Sequence, residues 1–160
     1  LKSVLLYENI KKFWGEEMKI ALGADHGGFE LKEKIKSHLL EKGYEVLDLG
    51  TNSTASVDYP KFGHAVGHAV VNKDADYGIV VCGTGIGISI AANKVSGVRA
   101  ALCTNTTMAR LTREHNDANV LAMGGRIVGD VLALEMVDIF LSTKFEGGRH
   151  TNRINSIETI

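Results

Sequence analysis

The chain has 160 residues, 44% hydrophobic and 23% charged, with a formal net charge of −1. That length suits one domain, and a domain of ~150 residues buries about 70% of the surface its unfolded chain exposes, so a core is available without staples. The near-neutral, mixed-sign composition argues against a nucleic-acid surface or a membrane patch, and no apolar run reaches the ~18 residues that span a bilayer.

Residues 1–17, LKSVLLYENIKKFWGEE, differ in texture from the rest of the chain. They hold the only tryptophan, Trp14, and set Leu5, Leu6, Ile10 and Phe13 near one face of an amphipathic helix. The simpler reading is an extension that precedes a domain starting at Met18; the alternative is an arm packed on a partner subunit. The segment is too charged for a secretory leader. With an otherwise ordinary composition, this predicts reduced thiols at Cys82 and Cys103 and a soluble cytoplasmic protein.

From Met18 the pattern alternates. MKIALGA reads as a strand, and FELKEKIKSHLLEKG as a helix with Phe29, Ile35 and Leu39 on one face and Gly43 as its stop. YEVLDLG is a second strand; a polar loop over residues 50–58 leads to Pro60 and the helix FGHAVGHAVVNK. YGIVVC, a glycine loop and ISIAANKV come next, then VRAALC with NTTMARLTREHN, and NVLAMG with GDVLALEMVDIFLST. A tail from Thr143 carries EGGRHTNR, and residues 18–160 are expected to form a single domain with that tail. Five β-α units with short connections predict a Rossmann-like αβα sandwich, a five-stranded parallel sheet with helices on both faces. Near-continuous apolar strands fit a sheet covered on both sides.

In such sheets ligands bind beyond the carboxyl ends of the strands. Reading the loops there gives Asp25 and His26, then Asp58 and Tyr59, Cys82 with GTGIG, Thr104 and Asn105, His115 and Asn116, and Arg126; the tail adds Arg149, His150 and Arg153. The expectation is one rim that collects all of these groups. Each also has a plainer role: a buried structural cysteine, a helix-capping histidine, a solvated terminus.

The glycine loop lacks the Lys-Ser/Thr of a P-loop, misses the dinucleotide spacing, and has no acidic residue about 20 positions on. What remains is physical. Small residues before a helix present backbone N–H groups at the positive end of its dipole, which makes an anion hole. A cysteine at such a terminus favours its thiolate, so Cys82 beside an oxyanion site suits acyl transfer or removal of a proton α to a carbonyl. Arg149 and Arg153, four apart with His150 between, and Arg126 suit a phosphate. A small phosphorylated substrate is the economical reading. His64 and His68, four apart on one helix, lack a third ligand, so no metal and no cofactor are expected.

Together ADHGGFELK, DLGT, DYP, CGTGIGISIAANK, RAALC, EHNDANVLAMGGRIVG and EGGRH resemble the type B ribose-5-phosphate isomerases, within the sugar-phosphate isomerase family that also contains the galactose-6-phosphate isomerase subunits. The resemblance runs from about Met18 to Arg153. It implies metal-free interconversion of D-ribose 5-phosphate and D-ribulose 5-phosphate in the pentose phosphate pathway, by a homodimer or tetramer with active sites at the subunit interface. By the same resemblance Cys82 is the base that moves a proton through an enediolate, and Gly83, Thr84, Gly85, Ile86 and Gly87 form the anion-hole loop. His115 opens the furanose ring, and Asn116 binds sugar oxygens. Asp25, His26 and Tyr59 surround the sugar and its phosphate, Arg126, Arg149 and Arg153 form a phosphate clamp drawn in part from the neighbouring subunit, and His150 is a further substrate-binding residue. The alternatives are a 6-carbon sugar phosphate isomerase (allose or galactose 6-phosphate) and a non-catalytic phosphosugar-binding module.

Overall fold

Five apolar runs pair into one sheet: β1 (Lys19–Ala24), β2 (Glu45–Asp48), β3 (Tyr77–Cys82), β4 (Ala100–Leu102) and β5 (Val120–Gly124). The structure, a computed structural model, describes residues 18–159; the readings of residues 1–17 lie outside the described residues. All strands run parallel, in the order β2-β1-β3-β5-β4. The period of two along each strand sorts Ile20, Leu22, Ile79, Val81, Leu121 and Met123 to one face and Ala21, Val80, Cys82, Val120 and Ala122 to the other.

Each face is sealed by helices whose apolar residues recur at helical spacing. On the first, α1 (Phe29–Glu41), α4 (Thr106–Asn116) and α5 (Asp130–Ser142) contribute Leu31, Ile35, Leu39, Ala109, Met136 and Phe140. On the second, α2 (Pro60–Val71) and α3 (Ile86–Asn93) contribute Phe62, Val66, Val70, Ile88 and Ala92. Burying each large aliphatic side chain is worth about 1.5–3 kcal/mol, which makes these two layers the main source of stability. Pro60 opens α2, where its missing N–H costs no hydrogen bond. Asn105 caps α4 by accepting from the Met108 amide at 2.9 Å.

The parallel sandwich expected from the sequence is therefore present. Two elements differ in detail. Helix α3 starts at Ile86 rather than Ile88, so the last two residues of the glycine loop are helix. The tail holds a helix, α6 (Arg149–Glu158), whose only buried residues are His150 and Ile154. Its apolar signal is one histidine and one isoleucine a turn apart. The residues before it, Gly147 and Gly148, sit at φ 68 and 58, a left-handed turn that glycine permits. Among the described residues no helix is long and apolar enough to cross a membrane.

Because every strand points the same way, the sheet has a carboxyl edge and an amino edge. Each of the helices α1 to α5 carries the chain back from the first to the second.

Candidate active site

At the carboxyl edge β3 ends on Cys82, which pairs in register with Gly124 of β5. The next three residues turn into α3, and the Gly85 amide donates to Cys82 Sγ at 3.1 Å. A hydrogen bond of this kind strengthens when the sulfur carries charge. Gly85 has φ +78, and a Cβ there would stand 2.6 Å from the Met123 carbonyl carbon, so no other residue keeps this turn. Thr84 Oγ1 accepts from the Ile86 amide at 3.2 Å. The first-turn amides of α3, Gly87 and Ile88 among them, have no acceptor inside their own helix and lie at the positive end of its dipole. Sulfur and main-chain donors without a helical acceptor thus share one loop.

Three other segments close on it. Asp25, buried after β1, accepts from the Gly27 and Gly28 amides at 2.9 and 3.2 Å. His26 Nδ1 lies 3.2 Å from both backbone groups of Val57, which joins the β1–α1 turn to the loop before Tyr59. The Tyr59 ring rests on the first turn of α3, where a Cβ on Gly87 would come within 2.5 Å of it. Arg126, exposed after β5, donates its amide to Gly83 O at 3.0 Å and lays its guanidinium over Gly83.

The amino edge carries a second group. Arg99, just before β4, donates Nε to Asn116 O and Nη2 to Asp117 O, both at 3.0 Å. Arg113, only 4% exposed, reaches Ala118 O at 2.6 Å, Asp117 Oδ1 at 2.7 Å and the Tyr77 hydroxyl at 3.0 Å. Tyr77 begins β3, so these bonds fix His115 and Asn116 at the amino edge. Helix α6 packs there too. The His150 and His115 rings stack at 4.5 Å with 17° between planes, His150 Nε2 lies 3.4 Å from Glu146 Oε2, and Glu158 pairs with Arg99 at 2.8 Å. Arg149 and Arg153 are exposed on the same helix.

The single rim expected from the sequence is thus two. Cys82, Thr84, Asp25, His26, Tyr59 and Arg126 share the carboxyl edge; His115, Asn116, Arg149, His150 and Arg153 share the amino edge. From the first to the last residue of β3 there are five steps of ~3.3 Å, which separate the edges by about 17 Å. The physical reason is simple: His115 ends a helix, and a helix that comes after a parallel strand ends at the opposite edge. Arg126 accordingly does not join Arg149 and Arg153 within one chain.

Metal and thiol chemistry can be sorted on the same geometry. Donor atoms of His115, Glu146 and His150 lie within 4.8 Å of one another. Arg149 and Arg153 on α6 add positive charge to that neighbourhood, which suits an anion better than a cation. His64 and His68 are both exposed on α2. The two cysteines are free. Burial pushes the Cys103 thiol up to about 11, which leaves it an inert core residue.

Residues 20–157 match the ribose/galactose isomerase family. The chain belongs to that family. It is 51% identical to ribose-5-phosphate isomerase B of Escherichia coli over 142 residues, covering 89% of this chain and 95% of that one. Its fold matches the Clostridium thermocellum ribose-5-phosphate isomerase B with TM-score 0.88 and 58% identity, over 88% of this chain and 95% of that one. The Mycoplasma genitalium ribose-5-phosphate isomerase B, solved with bound ribulose 5-phosphate, matches with TM-score 0.85 and 45% identity, over 90% and 96%.

For a ribose/galactose isomerase, the groups that hold the edges in place matter as much as those that face outward. Sequence reasoning leaves four of them unnamed: Arg99, Arg113, Lys32 and Asp48. Lys32, 1% exposed, donates to both Asp48 oxygens at 2.8 and 2.9 Å, and Asp48 in turn accepts from Lys36 at 2.9 Å and the Gly50 amide at 3.0 Å. A lysine at an apolar position of α1 is the available signal. Arg113 gives the same signal on α4.

Proposed function

We propose that the protein interconverts D-ribose 5-phosphate and D-ribulose 5-phosphate, as an aldose-ketose isomerase of the pentose phosphate pathway. Family membership and the identity to ribose-5-phosphate isomerases B support the reaction. The observation that carries the chemistry is the Gly85 amide on Cys82 Sγ, beside the open first turn of α3. Cys82 thiolate removes the C2 proton of the open-chain aldose, and the electrons of that C–H bond form the C1=C2 enediolate. Negative charge gathers on O1, where the loop from Gly83 to Gly87, Thr84 and Ile86 included, supplies donors. The proton on O2 passes to O1, and the thiol returns its proton to C1, leaving the ketone at C2. Donors of this type contribute about 2.7–4 kcal/mol each to an oxyanion.

The furanose must open first. His115 takes the proton of the anomeric hydroxyl and hands it to the ring oxygen as the bond from C1 to that oxygen breaks, work suited to an imidazole near neutral pH. Asn116 binds sugar oxygens, Asp25, His26 and Tyr59 line the sugar, and Arg149, His150 and Arg153 with Arg126 hold the phosphate. The two edges of one chain are too far apart for one small sugar, so the site draws Cys82 from one copy and His115 from another. Ile86 and Ile90, 52% and 54% exposed on α3, offer apolar surface beside the thiol for that second copy. Residues 18–160 form the isomerase domain, and residues 1–17 an extension to it.

The test is the rate of ribulose 5-phosphate formation from ribose 5-phosphate with EDTA present, with allose and galactose 6-phosphates run alongside. Rapid, chelator-insensitive turnover of the pentose is expected. A protein that turns over only a hexose phosphate, or that binds ribose 5-phosphate without product, overturns the proposal.

A further inference from the structure

Glu146 has no place in the proton transfers of isomerisation, yet it touches the amino edge at two points. Its amide donates to the Glu114 carbonyl at 3.1 Å, which ties it to the residue before His115. Its carboxylate lies 3.4 Å from Nε2 of His150, whose ring is 5% exposed and lies parallel to that of His115 at 4.5 Å. The carboxylate, the buried imidazole and the half-buried imidazole therefore form one cluster, with donor atoms within 4.8 Å of one another. We propose that Glu146 is a positioning residue for ring opening: through His150 it fixes the plane of His115 and offsets positive charge beside it. This rests on the ribose-5-phosphate isomerase reading.

The surrounding charges explain why a carboxylate is needed there. Arg149 and Arg153 on α6 both raise the positive potential around the two rings. Glu114, the other nearby acid, is already paired with Arg110 at 2.6 Å. When His115 takes the anomeric proton it becomes an imidazolium stacked on another imidazole, an arrangement that like charge on His150 would oppose. Among the described residues Glu146 is the one acid paired with His150. Its Nε2–Oε2 separation is longer than a strong charged hydrogen bond, which leaves room for the pair to tighten when His115 gains its charge. The stack also covers one face of His115, so its ring nitrogens are presented edge-on rather than free to turn.

The experiment compares Glu146→Gln, which keeps size and loses charge, with Glu146→Asp, which keeps charge. Glu146 is about half exposed, so both variants are expected to keep the melting temperature within about 2 °C. For ribose 5-phosphate, Glu146→Gln should lower kcat about tenfold with KM nearly unchanged, a fraction of the ~10²–10⁴ that a positioned acid–base group supplies, and Glu146→Asp should recover most of it. A second readout isolates the step. Ribulose 5-phosphate has no furanose form, so exchange of its C1 hydrogen with D2O needs Cys82 and the enediolate but no ring opening. Glu146→Gln should exchange within about twofold of the unmodified protein. Loss of exchange in parallel with kcat, a rise in KM alone, or no change in kcat each overturns the role of Glu146. Failure of the unmodified protein to exchange or isomerise overturns the isomerase reading instead.

Discussion

The two edges of the sheet are built in different ways. At the carboxyl edge the thiol is placed by backbone: a left-handed turn at Gly85, an amide on sulfur, and close approaches that a single Cβ would break. At the amino edge His115 and His150 are placed by side chains, chiefly the guanidiniums of Arg99 and Arg113 and the stack of the two imidazoles. The first kind of site tolerates no change of shape, because its donors belong to the main chain. The second tolerates no change of charge, because two buried or half-buried arginines hold a helix end by its carbonyls. An active site that joins the two must bring together elements that one fold keeps on opposite sides.

The largest expected effect tests that joining. Cys82→Ala and Arg149→Ala should each abolish nearly all turnover, and a mixture refolded or exchanged together should recover activity. In a two-fold dimer half of the mixed assemblies pair one variant with the other, and each has one intact site of two, so about a quarter of full activity returns. Assembly of the site within one chain predicts no recovery after verified exchange. Recovery assigns every other position to an edge by the same rule.

How much of this is legible in the sequence depends on the edge. The sheet, its helices and the glycine loop are readable because apolar period and glycine spacing are local signals, and Cys82 stands directly at the end of a strand. The division into two edges is not a local signal, although the order of elements contains it: His115 stands at the end of a helix, one strand length from where the loops gather. Helix α6 is hidden for a different reason. Its anchors are His150 and Ile154, and a buried histidine stacked on another contributes no apolar period. Lys32 and Arg113 are hidden because a long cationic side chain reads as surface until its partners are known.

A smaller effect separates backbone from side-chain construction. Gly85→Ala forces a strained φ, worth about 1–3 kcal/mol, and drives a Cβ into Met123. Arg113→Met leaves Ala118 O and the Tyr77 hydroxyl without their donor, at about 1–3 kcal/mol for each buried group. Thermal melts should therefore place both variants well below the unmodified protein. Their behaviour in mixtures should differ in kind: Gly85→Ala rescues Arg149→Ala and not Cys82→Ala, whereas Arg113→Met rescues Cys82→Ala and not Arg149→Ala. The opposite pairing would show that the edges are mutually dependent and would erase the contrast between them.

The smallest effect lies where the carboxyl edge relies on ion pairs between side chains. Burial pushes the Asp48 carboxyl up, but hydrogen bonds from Lys32 and Lys36 and from the Gly50 amide outweigh it and hold the group below its ordinary value of 3.8. The folded state thus releases this proton more readily than the unfolded chain does. Its contribution is complete above the ordinary carboxylate value and is lost as pH falls through 3.8 toward the lower folded value. Asp48→Asn removes that titration. Its melting temperature at neutral pH should fall, since among the described residues buried Lys32 then keeps Glu33 as its one ion-pair partner, at 2.8 Å. Between pH 5 and pH 2.5 its decline should be shallower than that of the unmodified protein. Parallel declines would mean that the lysines neutralise Asp48 without stabilising the fold. The loop over residues 50–58, which leads from Asp48 to Tyr59, would then be held by its backbone bonds to β1 and by His26, with no part played by ion pairing.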